Sequence, residues 1–212
     1  MLTLLLPLVL QAPAAAPAPT LRPEVTVEVV RVVDGDTLVV TLDGAETTLR
    51  LLAVDTEEKI MGRASASPSK PETVFGEETM LWAKEFFAAL GQPPRVGLAF
   101  PEGRKLDAYG RLLAHVLLPD GRDFNLLLVE LGKSPYFTKY GYSTVNHAAF
   151  VAAQERARAA ELGLWNPATN RAKTPGAPSA IRPYDQLLPW WDAPARAQAD
   201  YRARKARQPA RL

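Results

Sequence analysis

Between residues 25 and 54 short β-branched runs alternate with pairs of turn residues. Residues 25–33 (Val-Thr-Val-Glu-Val-Val-Arg-Val-Val) predict a first strand, 37–42 a second and 46–54 a third. Asp34-Gly35 and Asp43-Gly44 separate them, and Asp-Gly pairs favour tight hairpin turns. A three-stranded meander must curl or be covered to bury its apolar face. Residues 77–90 then place Met80, Leu81, Ala83, Phe86, Phe87 and Leu90 at helical spacing, with Gly91 as a stop. Short apolar strands are predicted at 95–100 and 111–118, a short helix at 124–131 and an amphipathic helix at 145–162. The pattern predicts an α+β, mainly β, fold: five strands closing into a small barrel, which removes exposed sheet edges.

The flanks read differently. Residues 1–10 are almost wholly apolar and 11–19 rich in Ala and Pro, which fits the hydrophobic region and cleavage site of a secretory signal. No Lys or Arg precedes the run, so an uncleaved anchor or a mis-called start is the alternative. A run of ten residues is too short to span a bilayer as a helix. The expected location is therefore secreted, periplasmic or in the cell envelope. Residues 56–74 are poor in apolar side chains and read as a long loop. Residues 166–183 read as a Pro- and Ala-rich linker, 184–191 as an aromatic stretch and 193–207 as an Ala- and Arg-rich helix. The expected division is a leader at 1–19, one barrel domain at 24–166 and an extension at 167–212. Docking on the barrel is the favoured reading of the aromatics; partner binding or base stacking are the alternatives.

Composition narrows the chemistry. The 212 residues contain no Cys and only two His, which excludes disulfides, a thiolate site and a Cys nucleophile, and argues against a histidine-rich zinc site. The net charge is +2, but from Asn166 onward nine basic side chains face three acidic ones. A basic extension on a mildly acidic body suits a polyanionic partner, or is simply a solvated cationic tail.

The informative stretch is 48–58, Thr-Leu-Arg-Leu-Leu-Ala-Val-Asp-Thr-Glu-Glu, read with the Asp34-Gly35-Asp36-Thr37 turn. Arg50 lies inside an apolar run that ends in the carboxylates Asp55 and Glu58. A guanidinium and carboxylates emerging from one strand could meet a phosphodiester and a hard cation together. Singly, each residue has a plainer reading. Asp34 and Asp36 are turn residues, Arg50 is a strand arginine reaching solvent, and Arg111 and Tyr109 close a hairpin. Asp55 and Glu58 are then solvated, His115 is structural and His147 is a surface or capping residue.

Four strings together, 32–37 (Val-Val-Asp-Gly-Asp-Thr), 50–58, 107–111 (Asp-Ala-Tyr-Gly-Arg) and 163–165 (Gly-Leu-Trp), resemble the staphylococcal (thermo)nuclease family. The resemblance covers about residues 25–165. It implies a five-stranded OB-fold barrel with about three helices, and a calcium-dependent endonuclease that hydrolyses DNA and RNA to 3′-phosphate ends. It further implies Asp36, Asp55 and the Thr56 carbonyl as calcium ligands, with Asp34 in support. Glu58 would be the general base, and Arg50 and Arg111 would hold phosphoryl oxygens. Tyr109 would touch the nucleotide, and among Tyr136, Tyr140 and Tyr142 the choice for a second contact is Tyr136. Calcium suits this set because it takes several oxygen ligands in irregular geometry. Where the family usually has proline, this chain has Glu57, which could compete as base or add charge beside the metal. DNA and RNA are the expected partners, with no obligate protein partner. The alternatives are an OB-fold module that binds nucleic acid without cutting it, and an envelope interaction protein working through its C-terminal segment.

Overall fold

The computed structural model describes residues 21–61, 70–169 and 181–207; the leader expected at 1–19 lies outside them. The predicted meander forms as β1 (Val25–Asp34), β2 (Thr37–Leu42) and β3 (Ala45–Leu51). Helix α1 (Val74–Ala89) follows, then β4 (Arg95–Ala99), the two-residue β5 (Lys105–Leu106) and β6 (Leu112–Leu117). Helices α2 (Phe124–Glu130) and α3 (His147–Ala159), a 3-10 turn (Gly163–Trp165) and α4 (Tyr184–Arg207) complete the order.

The strands run β3-β2-β1-β4-β6, with β5 on the edge of β6, and a parallel β3–β6 pairing closes the barrel. β1 carries register shifts between Val29 and Arg31 and between Val32 and Asp34. Such bulges sharpen local twist and let one long strand pair with β2 on one side and β4 on the other. The expected five-stranded OB-type barrel is what forms, with β5 a small addition.

The apolar alternation sets the core. Leu38, Val40, Leu49, Leu98, Ala114 and Val116 fill the barrel, and Met80, Ala83 and Phe87 of α1 close one end. Phe124 on α2 meets Phe87 at a centroid distance of 4.7 Å and stacks on Trp82 at 5.9 Å. Such offset and tilted ring pairs add to simple burial.

Several boundaries differ from the sequence reading, and three of them have a reason visible in the structure. β3 stops at Leu51 because the chain turns at Ala53, whose φ of +64° is left-handed. That turn is held by Asn125, which donates to the Leu52 carbonyl, and by the Phe137 amide, which donates to the Ala53 carbonyl. Helix α1 starts three residues earlier than expected, because Thr73 caps it by accepting from the Gly76 amide at 2.9 Å. Residues 184–207 form one helix despite Pro189 and Pro194. Its apolar side packs in a second cluster, where Phe75, Leu164, Tyr184 and Trp191 are buried against Phe137 and Trp165. The aromatic stretch thus docks on the body of the protein, as favoured, against α1, the 3-10 turn and the loop at Phe137. No helix among the described residues is long and apolar enough to cross a membrane.

Candidate functional site

The β1–β2 turn and the end of β3 meet because Thr37 pairs with Arg50 across the sheet. Asp36 therefore lies beside the Arg50 guanidinium, at 2.7 Å. Its carboxylate also accepts from the Thr56 amide at 2.8 Å and from the Thr37 hydroxyl at 3.0 Å. The Ala53 turn brings Asp55 back over the same arginine, at 2.6 Å from its other terminal nitrogen. Ser134 fixes that residue's backbone by accepting from the Asp55 amide. One buried guanidinium thus forks two carboxylates, which rules out the solvent-reaching reading of Arg50. Glu58 stands at the rim, its side chain 39% exposed and 3.5 Å from Lys70, which also pairs with Asp55 at 2.7 Å.

Electrostatics sort these carboxylates. Burial and the neighbouring Asp36 push Asp34 up to about 7, while the Gly35 amide and Lys59 oppose the rise. Burial raises Glu58 above its ordinary range, with Asp36 and Asp55 adding and Lys70 opposing. Burial also works against ionised Asp55, but Arg182, Lys70 and Arg50 outweigh it and hold this carboxyl low. The site therefore pairs a firmly ionised buried carboxylate with a more basic one at the rim.

The other expected residues fall elsewhere. Arg111 is committed to Asp107, 2.7 Å away, and lies 5.5 Å from the centre of the Tyr109 ring, which is 84% exposed. These two form a turn before β6, beside β3, and make no direct bond to Asp36, Asp55 or Glu58. Tyr136 does not reach a surface. It is 2% exposed, stacks on Phe150, and its hydroxyl accepts from the Ser143 amide and pairs with His147. Its ring offers no face to a base; Tyr140 is the exposed tyrosine of that loop. His115 is structural as expected, buried and 2.9 Å from Asp123. His147 is partly buried and is not the capping residue: it stacks on Tyr142 and bonds Tyr136, and Asn146 stands at the helix cap.

Sequence reasoning missed Arg182, Lys70 and Gly76, and left the role of Glu57 open. Arg182 reaches into the site from the start of the C-terminal segment, 2.6 Å from Asp55 and 2.8 Å from Glu57. Glu57 is fully buried between Arg182 and the Tyr184 hydroxyl. That removes Glu57 as an alternative base and explains its presence as the acceptor of a buried arginine. The one signal was a carboxylate where the resembling family has proline. A Cβ at Gly76 would sit 2.1 Å from the Glu58 carbonyl oxygen and 2.8 Å from that of Glu57. Gly76→Ala is expected to cost about 1–3 kcal/mol by overpacking and to displace the Glu58 backbone. Urea unfolding should show the lost stability.

The donor chemistry fits a hard divalent cation. Among the described residues no three acidic or imidazole side chains gather as a metal cage. Two carboxylates sharing one guanidinium, with the Thr56 carbonyl beside them, are oxygen donors of the kind calcium takes along with water and substrate oxygens.

The family described as Staphylococcal nuclease homologue matches residues 48–167. Among curated proteins, the chain is 31% identical over 147 residues to a thermonuclease of Staphylococcus hyicus, covering 68% of this chain and 77% of that one. Endonuclease YncB of Bacillus subtilis (strain 168) is 31% identical over 142 residues, 67% of this chain and 62% of its own. The SPbeta prophage-derived endonuclease YokF of the same organism is 31% identical over 136 residues, 64% of this chain and 42% of its own. The chain therefore spans less than two thirds of the length of these last two relatives. The match runs from β3 through the 3-10 turn, taking in Arg50, Asp55, Glu58 and Arg111, and the chain belongs to the staphylococcal nuclease homologue family.

Proposed function

We propose that this protein is a secreted, calcium-dependent endonuclease that hydrolyses phosphodiester bonds of DNA and RNA, leaving 3′-phosphate ends. The observation that carries the reading is the buried Asp36–Arg50–Asp55 fork with Glu58 at its exposed rim. Its family relatives named thermonuclease and endonuclease support it. Export is read from the apolar run at 1–10.

In this reading Asp36, Asp55 and the Thr56 carbonyl hold the calcium ion, with Asp34 in support. The ion supplies positive charge to the phosphoryl oxygens when bound. Glu58 takes a proton from water, which attacks phosphorus; the bond to the 5′ oxygen breaks, that oxygen gains a proton, and the phosphate stays on the 3′ side. A carboxyl raised by burial is better matched to this proton transfer than an ordinary one. Arg50 serves Asp36 with one terminal nitrogen and Asp55 with the other, leaving its Nε–H for a phosphoryl oxygen. Arg111 and Tyr109 contact the nucleotide from their neighbouring turn. Charge spread over equatorial oxygens in phosphoryl transfer is what such preorganised donors stabilise.

A second reading, a barrel that holds nucleic acid without cutting it, is favoured by one observation: both Asp55 oxygens already receive cationic donors. The test is digestion of single-stranded DNA and RNA by the full chain with calcium and with a chelator. Cutting that needs calcium and leaves ends sensitive to a 3′-phosphatase is expected. Salt-sensitive binding without cutting would favour the second reading. Deleting everything after Trp165 would not separate an envelope role from a nuclease, since Arg182 is bonded into the site.

A further inference from the structure

We propose that Arg182 is a positioning residue for this site, so that the C-terminal segment is a working part of the catalytic unit. The inference rests on the nuclease reading above. Arg182 donates through Nη1 to Asp55 Oδ2 at 2.6 Å, and through Nη2 to the carbonyls of Asp55 and Thr56 at 3.0 and 2.8 Å. Its Nε donates to Glu57 Oε1 at 2.8 Å. One planar fork therefore spans three consecutive residues, two of which supply the proposed metal donors. A lysine, a point charge on a flexible stem, does not reproduce that geometry.

Two features make the arginine a fixed strut rather than a plug that leaves. Glu57 is fully buried and its second oxygen has no partner, so Arg182 and Tyr184 are its compensation. Withdrawing the arginine would strand a carboxylate away from water, which is strongly unfavourable. The adjoining Tyr184 and Trp191 are themselves buried in the second apolar cluster. Nor does the fork exhaust the donors. A carbonyl has two lone pairs and an ionised carboxylate about four acceptor sites. Arg182 takes one from Thr56, and Asp55 still has capacity beyond Arg50, Lys70 and Arg182. What the strut fixes is the direction in which those remaining lone pairs point.

The test compares the full chain with Arg182→Gln, Arg182→Lys and the double variant Glu57→Gln/Arg182→Gln. Circular dichroism reports folding, calorimetry reports calcium binding, and single-stranded DNA cleavage is resolved into kcat and KM. The double variant removes the buried carboxylate charge together with its partner, which protects folding. Orienting groups behind metal ligands typically matter about 10–100-fold. A loss of that size is expected in calcium affinity and kcat for all three variants, with KM changed by less than about threefold because Arg182 is almost wholly buried. Tighter calcium binding with faster cutting in Arg182→Gln would overturn the inference and make the arginine a competitor of the cation. Full recovery in Arg182→Lys would reduce its role to charge alone, and unchanged behaviour in the folded variants would make it an inert anchor. Failure of all three to fold would make it a residue of stability only. A wild-type chain that binds calcium but does not cut would remove the nuclease reading while leaving the positioning role to be judged on calcium affinity. One that does neither would remove both.

Discussion

Glu58→Gln is expected to slow cleavage of single-stranded DNA by about 10²–10⁴-fold, the usual worth of a positioned general base, while leaving the protein folded. The side chain is more than a third exposed, and its ion-pair partner Lys70 keeps Asp55 at 2.7 Å when the charge at 58 is removed. Little stability is at stake, since exposed pairs contribute little. The amide keeps the size and one acceptor but cannot take a proton from water. The loss should fall on kcat, with KM for DNA nearly constant, and calcium binding should persist because Asp36 and Asp55 are untouched. Rates and calorimetry on the same preparation check this. Retained cutting in a folded variant would remove Glu58 as the base. Glu57 could not replace it, being sealed between Arg182 and Tyr184.

Arg50→Gln should have the opposite balance, damaging both fold and activity. The guanidinium bridges Asp36 and Asp55, and its side chain is only 11% exposed. Removing one partner of a buried ion pair costs about 3–5 kcal/mol. The lower end is expected here, because Asp55 keeps Arg182 and Lys70 and Asp36 keeps the Thr56 amide. Loss of a preorganised donor to the phosphoryl oxygens adds about 10²–10³-fold in kcat. Urea unfolding measures the first effect, and cleavage by the folded fraction measures the second. A variant as stable as wild type would show that the two carboxylates do not depend on the fork. A variant as active would remove Arg50 from the proposed chemistry.

Much of this was legible along the chain. Asp-Gly pairs marked both hairpin turns, and the interrupted apolar run at 48–58 pointed to an arginine and two carboxylates of one site. These are local signals: turn chemistry and strand alternation act over two to four residues. Tyr136 went the other way. In sequence it is one of three tyrosines in a polar loop, and nothing in its neighbourhood says that its ring lies flat on Phe150. Lys70 and Gly76 were invisible for a similar reason, because their importance comes from carbonyl and carboxylate groups on a different element.

What the sequence by itself determined is the order of the five main strands and the helices between them, the barrel that order closes into, and the convergence of Asp36 from the β1–β2 turn with Arg50, Asp55 and Glu58 from β3 and the segment after it. Only the tertiary structure decided which charges compensate which. Glu57 and Arg182 are 125 residues apart, and no periodicity or propensity connects them. They meet because Tyr184 and Trp191 bury themselves in the cluster of Phe75 and Leu164, and that docking carries the arginine to a carboxylate which could not otherwise be buried. The partner of a buried charge is selected by three-dimensional packing and desolvation, and neither is written in any single stretch of the chain.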